Sequence, residues 1–352
     1  MYGVIIAGGR GTRFWPSSRN DNPKQLLEIV GKDNMLQMTI DRLKKIKNLE
    51  DIFIVTGERL APKIQKNITG IRKKNIIIEP SGKNTAPAIA LAAMHIKRIR
   101  ENALMAVFPA DHLIIGAQQF LKTIRSSVRI ANKKNGLVTI GVNPTYPSTG
   151  YGYIQYNKKI PELNLNAFKV KAFAEKPHLT LAKRFLKSGD FLWNGGMFVW
   201  RVDTFYQEMK KYMPDLYSQM NKIEKRIIVK KDYSNIWKSV VSESIDYALL
   251  EKSNSIYTVK ADFKWNDLGS WSSVYDVSSK SKEKNAIRGS GVVIDGSNNL
   301  IESKKQFTAI IGASNLVVIT TPDATLVVPR EKAEEVKDIV LYLEKKKRQD
   351  LL

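Results

Sequence analysis

The first thirty residues constrain this chain more than any other stretch. A short apolar run at residues 4–7 predicts a buried strand, and it leads directly into the glycine-rich sequence GGRGTR at residues 8–13. Glycine has no Cβ, so the backbone N–H groups of such a loop can approach an anion closely. Arg13 and Lys24 can supply the fixed positive charge that a polyphosphate requires. The stretch therefore predicts a cradle for a triphosphate.

Two other glycine-rich phosphate motifs fit this loop poorly. A dinucleotide-binding fingerprint has a third glycine where Phe14 stands, and an acidic residue where Val55-Thr56-Gly57 is found. A Walker A loop ends in Gly-Lys-Ser or Gly-Lys-Thr, whereas this loop ends in Gly11-Thr12-Arg13. A tight turn without a ligand is the remaining alternative, but it does not account for the clustered cations.

The composition fits a folded protein with a substantial core. The chain has 352 residues, 43% of them hydrophobic, and no cysteine, which excludes disulfides, thiolate nucleophiles and cysteine metal sites. No signal peptide or membrane-spanning apolar run is recognisable. We therefore expect a cytoplasmic protein with no membrane partner, divided into a large domain at residues 1–280 and a smaller one at 281–352.

The strong positive charge does not by itself indicate a nucleic-acid partner. The formal net charge is +23, but the cations occur as short groups on predicted helices, such as Lys44-Lys45 and residues 345–348. They are not interleaved with aromatic residues, and no nucleic-acid-binding motif is recognisable. We interpret them as solvated faces and expect no nucleic-acid partner. A basic surface would still attract small anions.

The first half of the chain alternates between two hydrophobic patterns. Short β-branched runs predict strands at residues 52–55, 76–78, 105–108 and 138–141, and apolar residues at helical spacing predict helices between them. The alternation indicates an α/β fold with a Rossmann-like mixed, mostly parallel sheet flanked by helices. Ligands of such sheets bind at the carboxyl ends of the strands. The glycine loop, Glu79-Pro80 and Pro109-Ala110-Asp111 all follow predicted strands.

These motifs, with others later in the chain, resemble the signature of the sugar-nucleotide pyrophosphorylases. The resemblance rests on GGRGTR (8–13), PKQ (23–25), EPSGKNTAPA (79–88), PADH (109–112), TGYGYI (149–154), EKP (175–177), WNGGMF (193–198) and WNDLGSW (265–271). Trp15-Pro16 and Gln25 resemble the branch of this family that uses GTP and mannose 1-phosphate. The match covers nearly the whole chain.

The resemblance implies a fold, a reaction and a cofactor. The fold is that of the nucleotide-diphospho-sugar transferases. The reaction transfers GMP from GTP to mannose 1-phosphate, giving GDP-mannose and pyrophosphate. The attacking phosphate oxygen is already an anion, so catalysis would consist of positioning and charge neutralisation. Mg²⁺ is the expected cofactor, GTP and mannose 1-phosphate are the expected partners, and a homodimer is the expected assembly.

The resemblance also assigns roles to particular residues. The expected catalytic residues are Arg13, Lys24, Asp111 and Asp267, the first two on the phosphates and the two aspartates on Mg²⁺. Nucleotide contacts are expected from Ala7, Gly8, Gly9, Gly11, Thr12, Arg13, Lys24, Glu79, Pro80, Gly82, Asn84 and Asp111, with the guanine base read at residues 79–84. Sugar-phosphate contacts are expected from Gly150, Glu175, Lys176 and Asn194, where Lys176 binds the phosphate.

Purely structural roles remain open for several of these residues. Asp111 would also suit a helix cap or a turn, and Asp267 lies in a sequence typical of a turn. Glu175-Lys176 would also suit a surface ion pair before Pro177. The residues before Thr85 would suit a plain helix start.

The end of the chain has a different pattern. Residues 286–329 read as strands and turns punctuated by glycine, without a strict six-residue repeat. The resemblance suggests a short left-handed β-helix, closed by a helix at about residues 330–347. Longer relatives carry a second catalytic domain after this point, and the chain stops at Leu352, so we expect no isomerase activity. Another nucleotide, another sugar 1-phosphate or a non-catalytic nucleotide-sugar-binding subunit remain alternatives.

Overall fold

The computed structural model describes the backbone of all 352 residues, and the side chains of all except residues 158–160 and 164. Its contacts group into two compact units. The sheet unit comprises Met1–Gly8, Ile40–Ala110 and Ile114–Trp265, and the β-helix unit comprises Gly9–Thr39, Asp111–Leu113 and Asn266–Leu352. The boundary predicted at residue 280 follows chain order, whereas this grouping puts the glycine loop from Gly9 onward with the C-terminal residues.

The strands before residue 267 form two sheets. In chain order they are β1 (Tyr2–Ile6), β2 (Asp51–Gly57), β3 (Ile76–Glu79), β4 (Leu104–Pro109), β5 (Leu113–Ile115), β6 (Leu137–Val142), β7 (Tyr153–Pro161), β8 (Ala167–Ala174), β9 (Phe191–Arg201), β10 (Ile256–Lys260) and β11 (Lys264–Asn266). The main sheet has the order β3-β2-β1-β4-β9-β6-β10-β8-β7, and β5 pairs separately with β11. The four strands predicted in the first half are all present.

Most strands of the main sheet run in one direction. Only β8 and β9 run antiparallel to the other strands of the sheet, so the prediction of a mixed, mostly parallel sheet is confirmed. Strand β7 pairs with β9 as well as with β8. The pairings β9-β6-β10-β8-β7-β9 therefore close into a ring, which brings β6 and β9 near the end of β8 and the start of β7.

Helices alternate with the strands along the chain. They are α1 (Met35–Leu43), α2 (Ala61–Asn67), α3 (Thr85–Lys97), α4 (Ala117–Lys134), α5 (Leu179–Ser188), α6 (Val202–Tyr212), α7 (Pro214–Ile228), α8 (Ser234–Ser239), α9 (Trp271–Val277) and α10 (Val336–Lys345). Helix α3 is buried along almost its whole length, because it is apolar on every face. In the sheet unit it packs in a core with Trp200 and Trp237. No helix in the part of the chain that the structure describes is long and apolar enough to cross a membrane.

The β-helix unit contains a coil of short strands. They are β12 (Ala286–Ile294), β13 (Leu300–Ile311), β14 (Leu316–Thr320) and β15 (Thr325–Pro329). The first three are parallel, and β15 is antiparallel to β14. Ala286 is aligned with Leu300 and Leu300 with Val317, so one turn of the coil takes 14 residues and the next takes 17. This unequal spacing explains why the sequence has no strict repeat. The left-handed sense of the coil stays a prediction.

Asparagine side chains stabilise the corner of this coil. The Asn285 Oδ1 accepts from the backbone N–H of Asn299 at 3.0 Å, and the Asn299 Oδ1 accepts from the backbone N–H of Leu316 at 2.9 Å. These bonds replace the ladder hydrogen bonds that the chain loses where it turns between strands. The corner is therefore specified by side chains rather than by a turn motif.

The aromatic residues after the glycine loop belong to the core of the β-helix unit. Phe14 and Trp15 are buried in one apolar cluster with Trp271 and the C-terminal residues Val336 and Val340. The Trp271 Nε1 donates to the Trp15 carbonyl at 3.1 Å, and the rings of Phe14 and Trp271 lie 5.0 Å apart. The C-terminal residues therefore anchor the glycine loop.

Candidate active site

Gly11 holds the glycine loop against the segment that carries Lys24. Its φ is +64°, in the left-handed region that favours glycine. A Cβ at this position would overlap Lys24 Cβ and lie 2.9 Å from the Lys24 backbone nitrogen. The loop continues as a tight helical turn at Thr12–Phe14, where the Phe14 N–H donates to the Gly11 carbonyl at 2.9 Å. The backbone at Gly11 therefore determines how closely Lys24 can approach.

Lys24 is a buried cation with two protein partners. Its residue surface is 6% exposed, and Nζ donates to Asp111 Oδ2 and to the Asp267 carbonyl, each at 2.7 Å. An ammonium has three donors, so one remains for a ligand. The structure thus brings together three of the four predicted catalytic residues. In sequence they are separated by as many as 243 positions.

The fourth predicted catalytic residue, Arg13, lies on the surface of the same unit. It is exposed, and it has no hydrogen bond or ion pair with the side chains that the structure describes. Gly9 is exposed as well, and a Cβ there would meet nothing within 4 Å. Thr12 is half-exposed between them. This edge of the loop is open to a ligand.

Asp111 is held in its charged form. Burial alone would raise the pKa of its carboxyl, but the Lys24 ammonium and His112 outweigh burial and keep that pKa below its ordinary value. About a third of its side chain is exposed, so one face of the carboxylate remains accessible. A charged, partly accessible carboxylate next to a buried cation is suited to binding a metal ion or a phosphate-bound cation.

Asp267 lies in a turn, which is the structural role that the sequence left open for it. Its Oδ1 accepts from the Gly269 N–H at 3.2 Å, and the next residue, Leu268, has a φ of +47°. A branched residue in the left-handed region costs free energy, and such strain is concentrated at functional sites. The turn directs the Asp267 carbonyl to Lys24. The carboxylate belongs to the same unit as Asp111.

The oxygen ligands that this cluster offers fit Mg²⁺. Asp111 and Asp267 offer carboxylate oxygens, and hard oxygen ligands are those that Mg²⁺ prefers. Mg²⁺ usually takes one or two protein carboxylates and completes its octahedron with water and substrate phosphates. Among the residues that the structure describes there is no group of three or more acidic, histidine or cysteine side chains arranged for a metal. A site of this kind would therefore depend on the substrate for its other ligands.

Glu79 is the most unusual charged residue of the sheet unit. It ends β3, is 4% exposed, and its Oε1 is buried with no hydrogen-bond partner among the side chains that the structure describes. Burial raises the pKa of its carboxyl to about 7. A Cβ on Gly8 would lie 3.7 Å from its Oε2, so the carboxylate faces the backbone just after β1. By contrast, the N–H of Ala7 already donates to the Val55 carbonyl at 2.8 Å, so Ala7 cannot donate it to a nucleotide.

The loop after Glu79 is open and strained. Gly82 is exposed, with nothing within 4 Å of a Cβ, and Pro80 is half-exposed. Asn84 has φ +68° and ψ −171°, a backbone conformation that is ordinarily restricted to glycine. Its Oδ1 accepts from the Thr85 N–H at 2.8 Å, which caps α3. The predicted helix start is therefore present, and the loop before it is strained and exposed.

Glu175 and Lys176 form an ion pair in which the acid is buried. Lys176 Nζ lies 2.6 Å from Glu175 Oε1, and the side chains are 59% and 8% exposed, respectively. A Cβ on Gly152 would overlap the Glu175 carboxylate, so a larger residue there would force the Glu175 side chain to shift. Lys176 has a φ of +45°, again in the left-handed region. A buried acid and a strained lysine are more than a plain surface pair needs.

Asn194 is hydrogen-bonded to two residues of the ring of strands and to Asp246 outside the ring. Its Oδ1 accepts from Thr139 Oγ1 at 2.9 Å and from the Gly196 N–H at 3.2 Å, and its Nδ2 donates to Asp246 Oδ1 at 2.8 Å. Burial and the nearby Glu175 raise the pKa of Asp246 to about 6. Sequence reasoning missed both Thr139 and Asp246, since no motif marks them. Gly150 lies in an exposed turn, where its N–H donates to Ser148 Oγ at 3.2 Å.

Comparison with known proteins identifies the family. A sequence profile described as Nucleotidyl transferase matches residues 2–284, and one described as MannoseP isomerase/GMP-like beta-helix domain matches residues 289–343. A mannose-1-phosphate guanylyltransferase of Escherichia coli is 37% identical over 350 residues, covering 97% of this chain and 75% of that protein. The mannose-1-phosphate guanylyltransferase RfbM of Salmonella typhimurium strain LT2 is 39% identical over 356 residues, covering 99% and 73%.

A solved structure agrees with these relatives. The crystal structure of a mannose-1-phosphate geranyltransferase from Thermus thermophilus matches with a TM-score of 0.88 and 28% sequence identity, covering 97% of this chain and 99% of that chain. The similarity thus extends over the α/β sheet and the C-terminal β-helix. This chain therefore belongs to the nucleotidyl transferase family, in its mannose-1-phosphate guanylyltransferase group, and is a nucleotidyltransferase enzyme.

Proposed function

We propose that this protein transfers GMP from GTP to mannose 1-phosphate, giving GDP-mannose and pyrophosphate. The relatives named above carry this activity in their names and match nearly the whole chain. The observation that carries the proposal to this protein is the contact of Gly11 with Lys24, together with the two bonds of Lys24 to Asp111 and Asp267. It supports a preorganised charge cluster beside an open glycine loop.

The nucleotide phosphates would be bound by this cluster. An oxygen of the sugar phosphate attacks the α-phosphorus of GTP, and the bond to the β-phosphate oxygen breaks as pyrophosphate leaves. No protein nucleophile is required, because the attacking oxygen is an anion. Arg13 is free to reach the triphosphate, and Lys24 has one donor left for it. Their fixed charges would stabilise the negative charge that develops on the leaving group.

Asp111 and Asp267 would hold Mg²⁺. When bound, the ion would neutralise charge on the phosphate oxygens around the reacting phosphorus. The depressed pKa of Asp111 supports this role, because the carboxylate stays charged at any pH at which GTP and mannose 1-phosphate are handled. Lys24 keeps Asp111 in place through its Oδ2, so the other carboxylate oxygen is the one available to a cation.

Glu79 would read the base. Guanine presents two adjacent donors, N1–H and the N2 amino group, and a carboxylate can accept from both at once. Uracil, thymine and adenine do not offer this pair of donors. The unpartnered Glu79 Oε1 supports the assignment, because a buried carboxylate without a partner is costly unless a ligand completes its hydrogen bonds.

The sugar phosphate would be bound by Lys176, Glu175 and Asn194. Lys176 is exposed enough to reach a phosphate, whereas Glu175 is buried and fixed by the ion pair. Asn194 has one N–H that no group in the described part of the chain uses. We further propose that the enzyme works in the cytoplasm as a homodimer and binds no nucleic acid, as the sequence predicts.

A matrix of substrates tests the proposed reaction. Pyrophosphate release is measured with Mg²⁺, using GTP, ATP, UTP and dTTP against mannose, glucose and galactose 1-phosphates. We expect release with GTP and mannose 1-phosphate, and on the order of 10⁴-fold lower kcat/KM with another base, because a mismatched base leaves Glu79 unpaired. Equal rates with UTP would remove guanine specificity, and release only with another sugar would replace mannose. No release with any pair would support a non-catalytic binding subunit.

A further inference from the structure

We infer that Asp246 is a positioning residue for the sugar phosphate: it fixes the Asn194 amide so that Asn194 presents an N–H donor, never an acceptor, to the sugar. The inference rests on the proposed function and names a residue that determines specificity within it. Asp246 lies outside the motifs by which the chain resembles the family, and it is 52 residues from Asn194 in the chain. The two are brought together by the fold of the sheet unit.

The hydrogen bonds around Asn194 permit only one orientation of its amide. The Gly196 backbone N–H can only donate, so the group that faces it must be the Asn194 oxygen. The Thr139 hydroxyl donates to the same oxygen, which fills both of its lone pairs. On the other side Asp246, when charged, can only accept, so the Asn194 NH₂ group must face it. A flipped amide would oppose N–H to N–H at Gly196 and oxygen to carboxylate at Asp246.

One Asn194 proton is then left for a ligand. The amide has two N–H donors, and Asp246 takes one of them. The oxygen is fully used, so it cannot accept a sugar hydroxyl proton. Asn194 would therefore select a sugar oxygen that accepts, and a sugar hydroxyl that donates must be matched elsewhere, with Glu175 as the nearest acidic candidate.

The charge distribution supports a role beyond packing. Asp246 is half-buried and stands near Glu175, with Lys176 as the nearby cation and the Tyr247 hydroxyl close to that cation. Lys176 is already paired with Glu175, so two acids share one ammonium. An acid in this position costs stability that a neutral residue would avoid, since burial and a like charge both oppose its ionisation. Keeping it there is expected where its accepting oxygen orients a neighbour.

The backbone around Asp246 is shaped for this position. Asp246–Leu250 forms one turn of π-helix, a rare conformation that is frequently found at functional sites. The preceding Ile245 N–H donates to Thr85 Oγ1 at 2.9 Å, which ties this segment to the start of α3. The π-helix thus presents Asp246 to Asn194 from a fixed base rather than from a mobile loop.

Three variants test the inference by steady-state kinetics. D246A removes the acceptor, D246N keeps an oxygen that can accept from Asn194, and E243Q removes a nearby acid that has no bond to Asn194. We expect D246A to raise KM for mannose 1-phosphate about tenfold or more, because an oriented charge-assisted bond is lost. The KM for GTP should stay within about twofold of wild type in all three variants. D246N should restore the sugar-phosphate KM to within about threefold, and E243Q should behave as wild type.

The outcomes separate this inference from the proposed function. An unchanged sugar-phosphate KM in D246A, or equal losses for both substrates, overturns the role of Asp246 while leaving the reaction intact. If wild type reacts only with another sugar 1-phosphate, the proposed function falls, and the same three variants are compared with that substrate. Should D246A fail to fold, D246S, which is too short to reach Asn194, takes its place. Isothermal titration with mannose 1-phosphate alone checks binding without turnover.

Discussion

The Lys24 ammonium lies 2.7 Å from the carboxylate of Asp111 in one unit of the protein, and Lys24 is buried while about a third of the Asp111 side chain is exposed. This pair joins a cation that the glycine loop contacts to an acid that can bind a metal ion. The proposed reaction requires both in order to bind the substrate phosphates. Each partner compensates the burial of the other, since a buried charge is costly unless it is paired. The cluster is therefore preorganised without substrate.

Replacing either aspartate of the cluster should abolish most of the chemistry while preserving the fold. D111N and D267N keep the side-chain shape but lose a charge, so we expect kcat to fall on the order of 10²-fold or more in each. The loss of kcat in the double variant should differ greatly from the combined losses of the two single variants, because groups that act as a unit fail together. Rates over a Mg²⁺ titration, with melting temperature as the control, measure this. A well-folded D267N with a near wild-type rate at limiting Mg²⁺ would exclude the two-aspartate site.

Gly11 and Gly9 form a matched pair of glycines in the loop. G11A should destabilise the protein by about 1–3 kcal/mol, since the added Cβ meets the Lys24 backbone at a positive φ. G9A adds a methyl group in open space and should unfold like wild type. Chemical denaturation of both variants gives the comparison. Equal unfolding free energies would show that the contact between Gly11 and Lys24 does not constrain the loop.

The pH dependence of protein stability should reveal the ionisation of Glu79. Its folded pKa of about 7 lies above the ordinary value of 4.5, so the folded state binds the proton more tightly than the unfolded state does. The contribution of Glu79 to the free energy of unfolding is therefore fully present below about pH 4.5. It is lost as pH rises through 7, a change of about 3 kcal/mol. E79Q should accordingly melt higher than wild type at pH 8, with little difference at pH 5. A lower melting temperature of E79Q at pH 8 would contradict the unpaired carboxylate.

The same variant tests base recognition. Wild-type kcat/KM for GTP should rise with pH through about 7 as Glu79 ionises, whereas E79Q should lack that rise and lose preference for GTP over ATP. Glutamine keeps the size of the side chain but adds donors that oppose those of guanine. Retained GTP preference in E79Q would move the base-reading role to other residues of the loop.

Lys176 should contribute to the binding of only one substrate, mannose 1-phosphate. K176A removes the ammonium that is expected to bind the sugar phosphate, and a charge-assisted hydrogen bond contributes about 1.5–3 kcal/mol. The KM for mannose 1-phosphate should therefore rise about 10- to 100-fold, with the KM for GTP nearly unchanged. K171A, an exchange of a nearby lysine on β8, is the control. An unchanged sugar-phosphate KM in K176A would return Glu175 and Lys176 to a structural ion pair.

The sequence predicted the parts of the molecule that depend on local patterns. The strands of the parallel half follow from β-branched runs, and the coil at the end of the chain follows from its turns and the resemblance. The two helices α7 and α8 were not predicted, because they lie in the interval between β9 and β10 without a motif. Strand β9 was recognised only as a motif, although Asn194 lies within it and its neighbours run antiparallel.

The site was predictable only where the chemistry lies in contiguous residues. The glycine loop, Glu79 and Glu175-Lys176 could be named from such stretches. Asp246 could not, because its proposed role depends on a partner 52 residues away and on a π-helix that no local pattern signals. The absence of a partner for Glu79 Oε1 likewise follows from burial by distant elements.

The most direct test of the central claim follows the phosphorus atoms of GTP. GTP labelled at the α-phosphorus and GTP labelled at the γ-phosphorus are each incubated with the enzyme, Mg²⁺ and mannose 1-phosphate, and the products are separated. Attack at the α-phosphorus predicts that the α-label appears in GDP-mannose and the γ-label in pyrophosphate. An α-label recovered only in GMP or GDP, or a γ-label in inorganic phosphate, would contradict nucleotidyl transfer to the sugar phosphate.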